Sequence, residues 1–165
     1  MPSLEEYKRK RNFTKTPEPS EEIGKTFYDE ILPKLKDKKF PRPLYMIHRH
    51  ESRKLHFDLR LEFKGVLESW AIPKEPPKEP GIKRLAILVE PHPLLYGLWH
   101  GRIPPGNYGA GTVKIWDTGT FETIEITDNA IVVNLKGKKL KGQYILVKTT
   151  FRGSKNSWLF FKKKE

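Results

Sequence analysis

The segment HRHESRKLHFDLRLEF, residues 48–63, concentrates side chains that can do chemistry. It holds three of the five histidines in the chain, together with an aspartate and several arginines. From Leu55 onward, apolar residues occupy every second position, which is the pattern of a half-buried strand. The pleat of that strand places His56, Asp58 and Arg60 together on the face opposite the core. The segment therefore predicts a cluster of ionisable side chains on one face of a sheet.

His50 can join this cluster to form a metal site. If the preceding strand buries Tyr45 and Ile47, its other face carries His50, and the short ESRK link brings His50 near His56. Two imidazoles and the carboxylate of Asp58 are a ligand set for a divalent metal with positions left open for water and substrate. Because the chain has no cysteine, thiolate ligands are excluded.

Phosphate is the substrate chemistry that this cluster favours. A metal in such a site polarises a phosphoryl oxygen and supplies a hydroxide-like nucleophile. The forked guanidinium of Arg60, on the same face, could grip phosphate oxygens beside it. The alternative is a solvated charged face on which Arg60 and Glu62 form ordinary surface ion pairs.

A second group of candidate residues follows in KRLAILVEPHPLLYGLWHGRIPPGNYGAGT. Glu90 and His92 stand at the end of a predicted strand, and the prolines on either side of His92 stiffen its backbone. Taken alone, His92 could equally be a solvated imidazole in a rigid turn. The stretch PPGNYGAGT lacks the Lys-Ser/Thr of a phosphate-binding loop, so we expect a glycine turn between strands.

The charge of the chain favours a polyanionic partner. Its 32 Lys and Arg against 20 Asp and Glu give a net charge of +12, which indicates nucleic acid first. Two C-terminal segments, KGKKLKG and FRGSKNSWLFFKKK, interleave lysines with Trp158 and other aromatic residues. They could contact a nucleic-acid backbone, or they could be edge-strand lysines that discourage aggregation.

We expect a soluble cytoplasmic protein that does not bind membranes. No apolar run approaches the roughly 20 residues of a spanning helix, and MPSLEEYKRKRNF lacks the apolar core of a signal peptide. At 165 residues the chain has the size of one domain.

The elements that position these residues are predicted to be mainly strands. Residues 1–43 form an N-terminal arm, with a short helix over 4–11, an extended segment FTKTPEPS and a second helix from Ser20 to Pro33. Residues 44–165 form a compact antiparallel β-barrel or sandwich of about eight strands, because short alternating runs are separated by Gly, Pro and Asn. The predicted strands are 44–50, 55–63, 66–72, 85–90, 112–116, 120–127, 131–135, 144–148 and 158–162.

Five motifs, in this order, resemble the 3'-phosphoesterase domain family of DNA ligase D, in its stand-alone archaeal and bacterial form. The motifs are RNFTKTPEP, HESRKLHFDLRLE, GVLESWAIPKEPP, KRLAILVEPHPLLY and IPPGNYGAGTVKIWDTGTF. The resemblance runs from about Lys8 to the C-terminus and implies a compact antiparallel β-barrel with its active site in a concave face.

The resemblance implies a manganese-dependent hydrolase for DNA repair and non-homologous end joining. It would remove a 3'-terminal ribonucleoside by a phosphodiesterase step and then the 3'-phosphate by a phosphomonoesterase step, leaving a 3'-hydroxyl. Co²⁺ or Zn²⁺ are alternative metals. The implied partners are DNA or RNA-DNA 3' ends in a primer-template duplex, and a DNA ligase or other end-joining protein, for a chain that is itself a monomer.

The resemblance also assigns site residues by motif. The metal ligands are His50, His56 and Asp58, and the phosphate contacts are Arg60 and His92, whereas His48 matches no role and Glu62 is structural. Further supporting positions are Arg11, Glu18, Lys74, Arg84, Glu90 and Tyr96. Three residues depart from the family pattern, in which acidic residues are usual at the positions of Asn12, Leu95 and His100.

Two other function classes remain open on the sequence. The spacing His56-x-Asp58 with a distant histidine also fits the facial triad of non-haem iron oxygenases on β-barrels. A non-catalytic nucleic-acid-binding module held by basic aromatic surface is the third class.

Overall fold

The computed structural model describes residues 3–18, 42–150 and 155–164. The fold is mainly β, as predicted, with one short helix, α1 (Glu5–Arg9), in the part of the chain that is described. The predicted helix from Ser20 to Pro33 lies outside these residues. Nine strands follow α1: β1 (Leu44–Glu51), β2 (Leu55–Phe63), β3 (Val66–Ile72), β4 (Arg84–Pro93), β5 (Gly101–Ile103), β6 (Gly111–Ile126), β7 (Ala130–Gly137), β8 (Lys141–Lys148) and β9 (Ser157–Lys162).

Eight of the strands close into an antiparallel barrel. Their order is β1-β2-β3-β4-β9-β8-β7-β6, and β6 pairs again with β1 to complete the ring. β5 adds to β6 on the outside of this closure. The choice between barrel and sandwich that the sequence left open is thus decided in favour of the barrel.

Two apolar clusters lie on opposite sides of the barrel wall. The inner cluster includes Tyr45, Ile47, Leu59 and Trp70, all essentially inaccessible to solvent. The outer cluster joins Tyr7 of α1 to residues of the wall and of a 3-10 helix at Leu94–Leu98, which follows β4. The wall of β1 and β2 is therefore covered on both faces.

β6 corrects the prediction of two strands at 112–116 and 120–127. It is one continuous strand, because Gly119 does not make a turn. A Cβ at Gly119 would collide with the backbone carbonyl of Lys136 on β7. The glycine is therefore needed for close approach of two strands, which is its other common use inside a sheet.

Two further local predictions are wrong. Leu55, predicted to face the core, is 42% exposed because it lies at the first position of β2, next to the turn. The segment at 13–15 is a turn and is not extended, since the backbone N–H groups of Lys15 and Thr16 both donate to the carbonyl of Asn12.

Asp117 fixes the turn between β7 and β8 to the barrel. Its carboxylate, 3% exposed, accepts the backbone N–H groups of Lys138, Lys139 and Leu140 at 2.9 to 3.0 Å, and the hydroxyl of Tyr45 at 2.8 Å. Four donors satisfy one buried carboxylate, which compensates for its removal from water.

Candidate metal centre and phosphate pocket

A pocket of about 320 Å³ opens on the outer face of β1 to β4. The N-terminal arm contributes Arg11 to its wall, and the loop between β5 and β6 contributes Tyr108 and Gly109. The strands contribute most of the predicted site: His50, His56, Asp58, Arg60, Glu90 and His92. The alternation of β2 explains this grouping, because its inner positions fill the barrel while its outer positions face the pocket.

The three predicted metal ligands lie together. His50 and His56 are directly opposite each other on β1 and β2, and one ligand atom from each of His50, His56 and Asp58 falls within 4.8 Å of the others. His50 Nδ1 is 3.5 Å from Asp58 Oδ2, and His56 Nε2 is 3.3 Å from the same oxygen.

Backbone carbonyls fix the orientation of both imidazoles. His50 Nε2 is 2.7 Å from the carbonyl oxygen of Gly109, and His56 Nδ1 is 3.2 Å from that of Lys54. Each of these nitrogens must carry the proton, because a carbonyl oxygen only accepts. His50 Nδ1 and His56 Nε2 therefore face Asp58, and a divalent metal bound between them would replace the proton that they share with the carboxylate. The donor set thus fits a divalent cation.

The charges in this group favour an ionised carboxylate. Burial alone would raise the pKa of Asp58, but hydrogen bonds to His50 and His56 and the charge of Arg60 outweigh it and hold the pKa well below its ordinary value. Burial would lower the pKa of His56, yet its hydrogen bond with Asp58 raises that pKa instead. Asp58 is therefore available as an anionic ligand throughout the physiological pH range.

Arg60 is held rigidly beside the three predicted metal ligands. Its Nε donates to Nδ1 of His48 at 3.1 Å and its Nη1 donates to the hydroxyl of Ser69 at 2.7 Å. The guanidinium lies over the ring of Tyr96 at 4.7 Å, which leaves Nη2 directed at Asp58, 3.5 Å away. Arg60 is thus preorganised with a free donor at the metal group.

His48, to which the sequence assigned no role, contacts Arg60 beside the pocket. It is completely buried, and burial together with the charge of Arg60 lowers its pKa to about 3, so the imidazole is neutral. Since Nδ1 accepts from Arg60, Nε2 carries the proton and donates to the carbonyl of Trp99 at 2.9 Å. The alternation of β1 places His48 on the same face as His50, but its contact with Arg60 depends on the pairing of β1 with β2.

The N-terminal arm closes the pocket through buried ion pairs. Arg11 Nε donates to Glu18 at 2.8 Å, Arg11 Nη1 donates to the carbonyl of Tyr7 at 3.1 Å, and Glu90 lies 3.5 Å from the same guanidinium. Lys10, a residue without a predicted role, donates to Glu90 at 3.0 Å and to the hydroxyl of Tyr108 at 3.3 Å. Arg11, Glu18 and Glu90 therefore form one network.

His92 is a hydrogen-bond acceptor within this network. Its Nδ1 donates to the carbonyl of Glu90 at 2.9 Å, so Nε2 is unprotonated and faces Nη2 of Arg11 at 3.4 Å. Burial and the charges of Arg60 and Arg11 hold the pKa of His92 well below its ordinary value. His92 and Tyr96 pack edge to face, with ring centroids 4.6 Å apart.

Three of the predicted supporting residues lie outside the pocket wall, and one of them, Glu18, contacts it through Arg11. Lys74 is exposed in the loop after β3, and Arg84, at the start of β4, donates to the backbone carbonyl of Glu75 at 2.9 Å. Glu62, on the same face of β2 as the ligands, accepts from Arg42 at 3.0 Å and from the backbone N–H of Leu44 at 2.9 Å, a structural arrangement.

The three departures from the family pattern also lie outside the pocket wall. Asn12 accepts the backbone N–H and the hydroxyl of Thr14 at 3.1 and 2.6 Å, a turn-forming bond that an aspartate could also accept. His100 is exposed and Leu95 is half-buried.

The fold and the pocket together define a closed antiparallel barrel with a candidate two-histidine, one-carboxylate metal centre on its outer wall, beside preorganised arginines. The sequence profile of the DNA ligase D 3'-phosphoesterase domain matches residues 48–148. The chain belongs to this family.

Curated relatives agree with this assignment. The chain is 39% identical over 173 aligned positions to the multifunctional non-homologous end joining protein LigD of Pseudomonas aeruginosa, an alignment that covers all of this chain and 19% of the relative. It is 40% identical over 150 positions to the multifunctional non-homologous end joining DNA repair protein LigD of Mycobacterium tuberculosis, covering 88% of this chain and 18% of the relative. The chain thus spans about a fifth of the length of these relatives. In the described part of the chain, no helix is long and apolar enough to cross a membrane.

Proposed function

We propose that this chain is a manganese-dependent phosphoesterase that processes nucleic-acid 3' ends. It would remove a terminal ribonucleoside and then the 3'-phosphate, leaving a 3'-hydroxyl for repair and end joining. The observation that carries the proposal is the convergence of His50 Nδ1, His56 Nε2 and Asp58 within 4.8 Å, next to the guanidinium of Arg60. When bound there, Mn²⁺ would supply Lewis-acid polarisation of a phosphoryl oxygen.

Arg60 would hold the phosphate in this reaction. Its Nε and Nη1 are occupied by His48 and Ser69, so only its Nη2 edge is directed at the metal group. A donor fixed in advance stabilises the charge of phosphoryl transfer without further reorganisation.

Arg11 and His92 would respond to the arriving phosphate together. A phosphate oxygen is a better acceptor for Nη2 of Arg11 than the neutral Nε2 of His92. Its negative charge also favours protonation of His92, which would turn Nε2 from an acceptor into a donor near the scissile bond. Glu18 and Glu90 keep the guanidinium of Arg11 in place during this exchange.

The surroundings of the metal group favour phosphate over the chemistry of a non-haem iron oxygenase. Two buried arginines, Arg60 and Arg11, line the pocket with the ligands. Cations arranged this way suit a multiply charged phosphate oxyanion. We also propose that the chain works in the cytoplasm as a monomer, with a DNA ligase or another end-joining protein acting on its product.

The test uses two 5'-labelled primer-templates, one ending in a single ribonucleotide and one in a 3'-phosphate. Each is incubated with the protein and Mn²⁺, Co²⁺ or Zn²⁺, and the products are resolved by gel electrophoresis. Both ends should be converted by the wild-type protein and by Asp128→Asn, which alters an exposed aspartate in the turn after β6. Asp58→Asn should convert neither.

Failure of the wild-type protein to change either end with any of these metals would refute the enzymatic proposal. Oxygen consumption with Fe²⁺ and a 2-oxo acid, without end processing, would indicate the oxygenase instead. DNA binding that Asp58→Asn leaves intact, again without processing, would indicate a binding module.

A further inference from the structure

A lysine-rich groove lies on the barrel wall away from the pocket. It has a volume of about 350 Å³ and is formed by β7, β8, β9 and the residues that follow β9. We call it the lysine groove and define it by Asn134, Lys141, Gly142, Gln143, Lys162, Lys163 and Lys164. The proposal made for it below goes beyond end processing and does not depend on it.

The strand order separates the lysine groove from the candidate metal centre. β3, β4 and β9 lie between β2 and β8 on one side of the ring, and β1, β6 and β7 lie between them on the other. β8 is therefore opposite β2. A nucleic-acid end in the pocket and a ligand in the lysine groove would contact different walls of the protein.

The fold argues against one of the two explanations for these lysines. Edge-strand lysines prevent a sheet from adding further strands, but β8 is paired with β7 from Lys141 onward and with β9 from Tyr144 to Lys148. The backbone N–H of Lys163 extends the second pairing by donating to the carbonyl of Gln143 at 2.8 Å. Closure of the barrel already protects this strand. The lysines of the groove thus need another reason to lie together.

The groove carries positive charge with little local compensation. Within the described residues, no carboxylate forms an ion pair with Lys141, Lys162, Lys163 or Lys164. The ammonium group of Lys162 donates to the carbonyl of Lys78 at 3.4 Å, and this is the one hydrogen bond observed for these four groups. By contrast Lys136, which faces Lys141 across the ladder, is bound to Glu122. Clustered cations repel one another unless an anion lies between them.

The neutral residues of the groove are also suited to an anion. Asn134 and Gln143 are directly opposite each other on β7 and β8, and their side-chain amides offer N–H donors between the lysines. The groove has no carboxylate in its wall. Ammonium and amide donors without acceptor-only groups are typical of contacts to phosphate oxygens.

Aromatic stacking does not contribute to this surface. Trp158, which the sequence interleaves with the basic segment, is 6% exposed and belongs to the inner cluster of the barrel. Binding to single strands generally needs exposed aromatic rings on which bases stack. The groove can therefore contact the backbone of a nucleic acid but offers no platform for its bases, which favours a duplex.

We propose that the lysine groove is a second nucleic-acid-binding site, which contacts the phosphate backbone of a duplex without regard to its sequence or to its 3' end. Its position opposite the metal centre lets the protein hold one duplex segment there while a 3' end occupies the pocket. The ligand is recognised through successive phosphates.

The probe that tests this proposal is a fluorescent DNA duplex closed by a hairpin loop at each end. It has no 3' end, so its binding reports on the groove whether or not the chain processes ends. Anisotropy titrations in EDTA over a range of salt concentrations compare the wild-type protein with Lys141→Gln/Lys162→Gln/Lys163→Gln. The matched control is Lys64→Gln/Lys114→Gln/Lys148→Gln, which removes the same charge from three exposed lysines outside the groove.

The groove variant should lose at least about tenfold in affinity near physiological salt, and its slope of log affinity against log salt should fall by about 2 to 3, because each phosphate contact contributes about 0.9. The control should lose much less. Equal losses in the two triple variants would overturn the proposal, because they would reflect net charge alone.

Two competitors and one further variant complete the test. Inorganic phosphate at matched phosphate concentration should compete weakly, and polyglutamate at matched charge should compete weakly as well. Competition by polyglutamate as strong as that by unlabelled duplex would overturn the assignment to nucleic acid. If the triple variant does not fold, Lys163→Glu, at an exposed side chain, should show the same selective loss, and wild-type binding by that variant would refute the proposal.

Discussion

Replacing His48 by glutamine should remove a defined part of the acid sensitivity of the fold. His48 is neutral in the folded protein with a pKa of about 3, whereas an unfolded histidine has a pKa near 6.5. Below about pH 6.5 the unfolded state therefore binds one more proton, and stability falls as the pH falls. Glutamine does not titrate, yet its amide can accept from Arg60 and donate to the carbonyl of Trp99.

The size of the effect follows from the two pKa values. With a folded pKa of about 3, lowering the pH from 7 to 5 costs the wild-type protein about 2 kcal/mol of unfolding free energy through His48. The loss begins near the unfolded pKa and is complete at about pH 3. His92, whose pKa is also lowered, adds a loss of the same sign. The loss through His92 is the same in the wild-type protein and in His48→Gln, so it cancels when the two are compared.

Urea denaturation followed by tryptophan fluorescence, at pH 7 and at pH 5 in EDTA, measures this difference. The free energy of unfolding should fall by about 2 kcal/mol more in the wild-type protein than in His48→Gln. His100→Gln, at an exposed histidine, should keep the wild-type dependence because His48 is unchanged. Equal pH dependence in wild type and His48→Gln would refute the assignment of His48 as a buried neutral acceptor.

Three other substitutions test separate parts of the structure. Asp58→Asn should weaken Mn²⁺ binding by more than about tenfold in calorimetric titration, since it removes the anionic ligand; unchanged affinity would exclude Asp58 as a ligand. Asp117→Ala should lower the free energy of unfolding by about 3 to 5 kcal/mol, because four donors lose one buried acceptor. The exposed Glu122→Gln should cost less than about 1 kcal/mol, and a similar cost for both would contradict that role of Asp117. Arg11→Lys should reduce kcat by at least about tenfold with Mn²⁺ affinity retained, since a single ammonium cannot reproduce the forked contacts of the guanidinium; full kcat would mean that charge alone suffices.

The part of the site that lies on β1 and β2 could be predicted from the sequence. Strict alternation fixes which side chains share a face, and the short link between the strands fixes the register that brings His50 opposite His56. The polar character of these side chains did not indicate that their face of the sheet is buried. Its cover comes from Tyr7 and Tyr96, in elements far apart in the chain.

β4 shows why the other half of the pocket was not predictable by spacing. Val89 pairs with Ser69 and His92 pairs with Leu67, so two residues of β4 stand opposite one residue of β3. This bulge lets Val89, Glu90 and His92 all line the pocket, which regular alternation would forbid. Their place at the end of a strand marked Glu90 and His92 as candidates, and only the motif resemblance connected them to the residues of β2.

The roles of Gly119 and His48 could not be predicted because each depends on a contact with a residue on another strand. Gly119 reads as a turn residue until the carbonyl of Lys136 is known to lie against it. His48 has no role until Arg60 is known to need an acceptor. In both cases the deciding contact joins residues that are not neighbours in sequence, and a local pattern carries no information about it.

The alternation of β2 has a consequence for how this protein can change during evolution. Leu59 belongs to the barrel interior, while its neighbours Asp58 and Arg60 belong to the pocket. Point substitutions can therefore retune the pocket while leaving the interior intact, and the reverse also holds. A single-codon insertion or deletion in this strand would exchange the two sets of residues at once. We expect natural variation here to proceed by substitution, with changes of length confined to the loops.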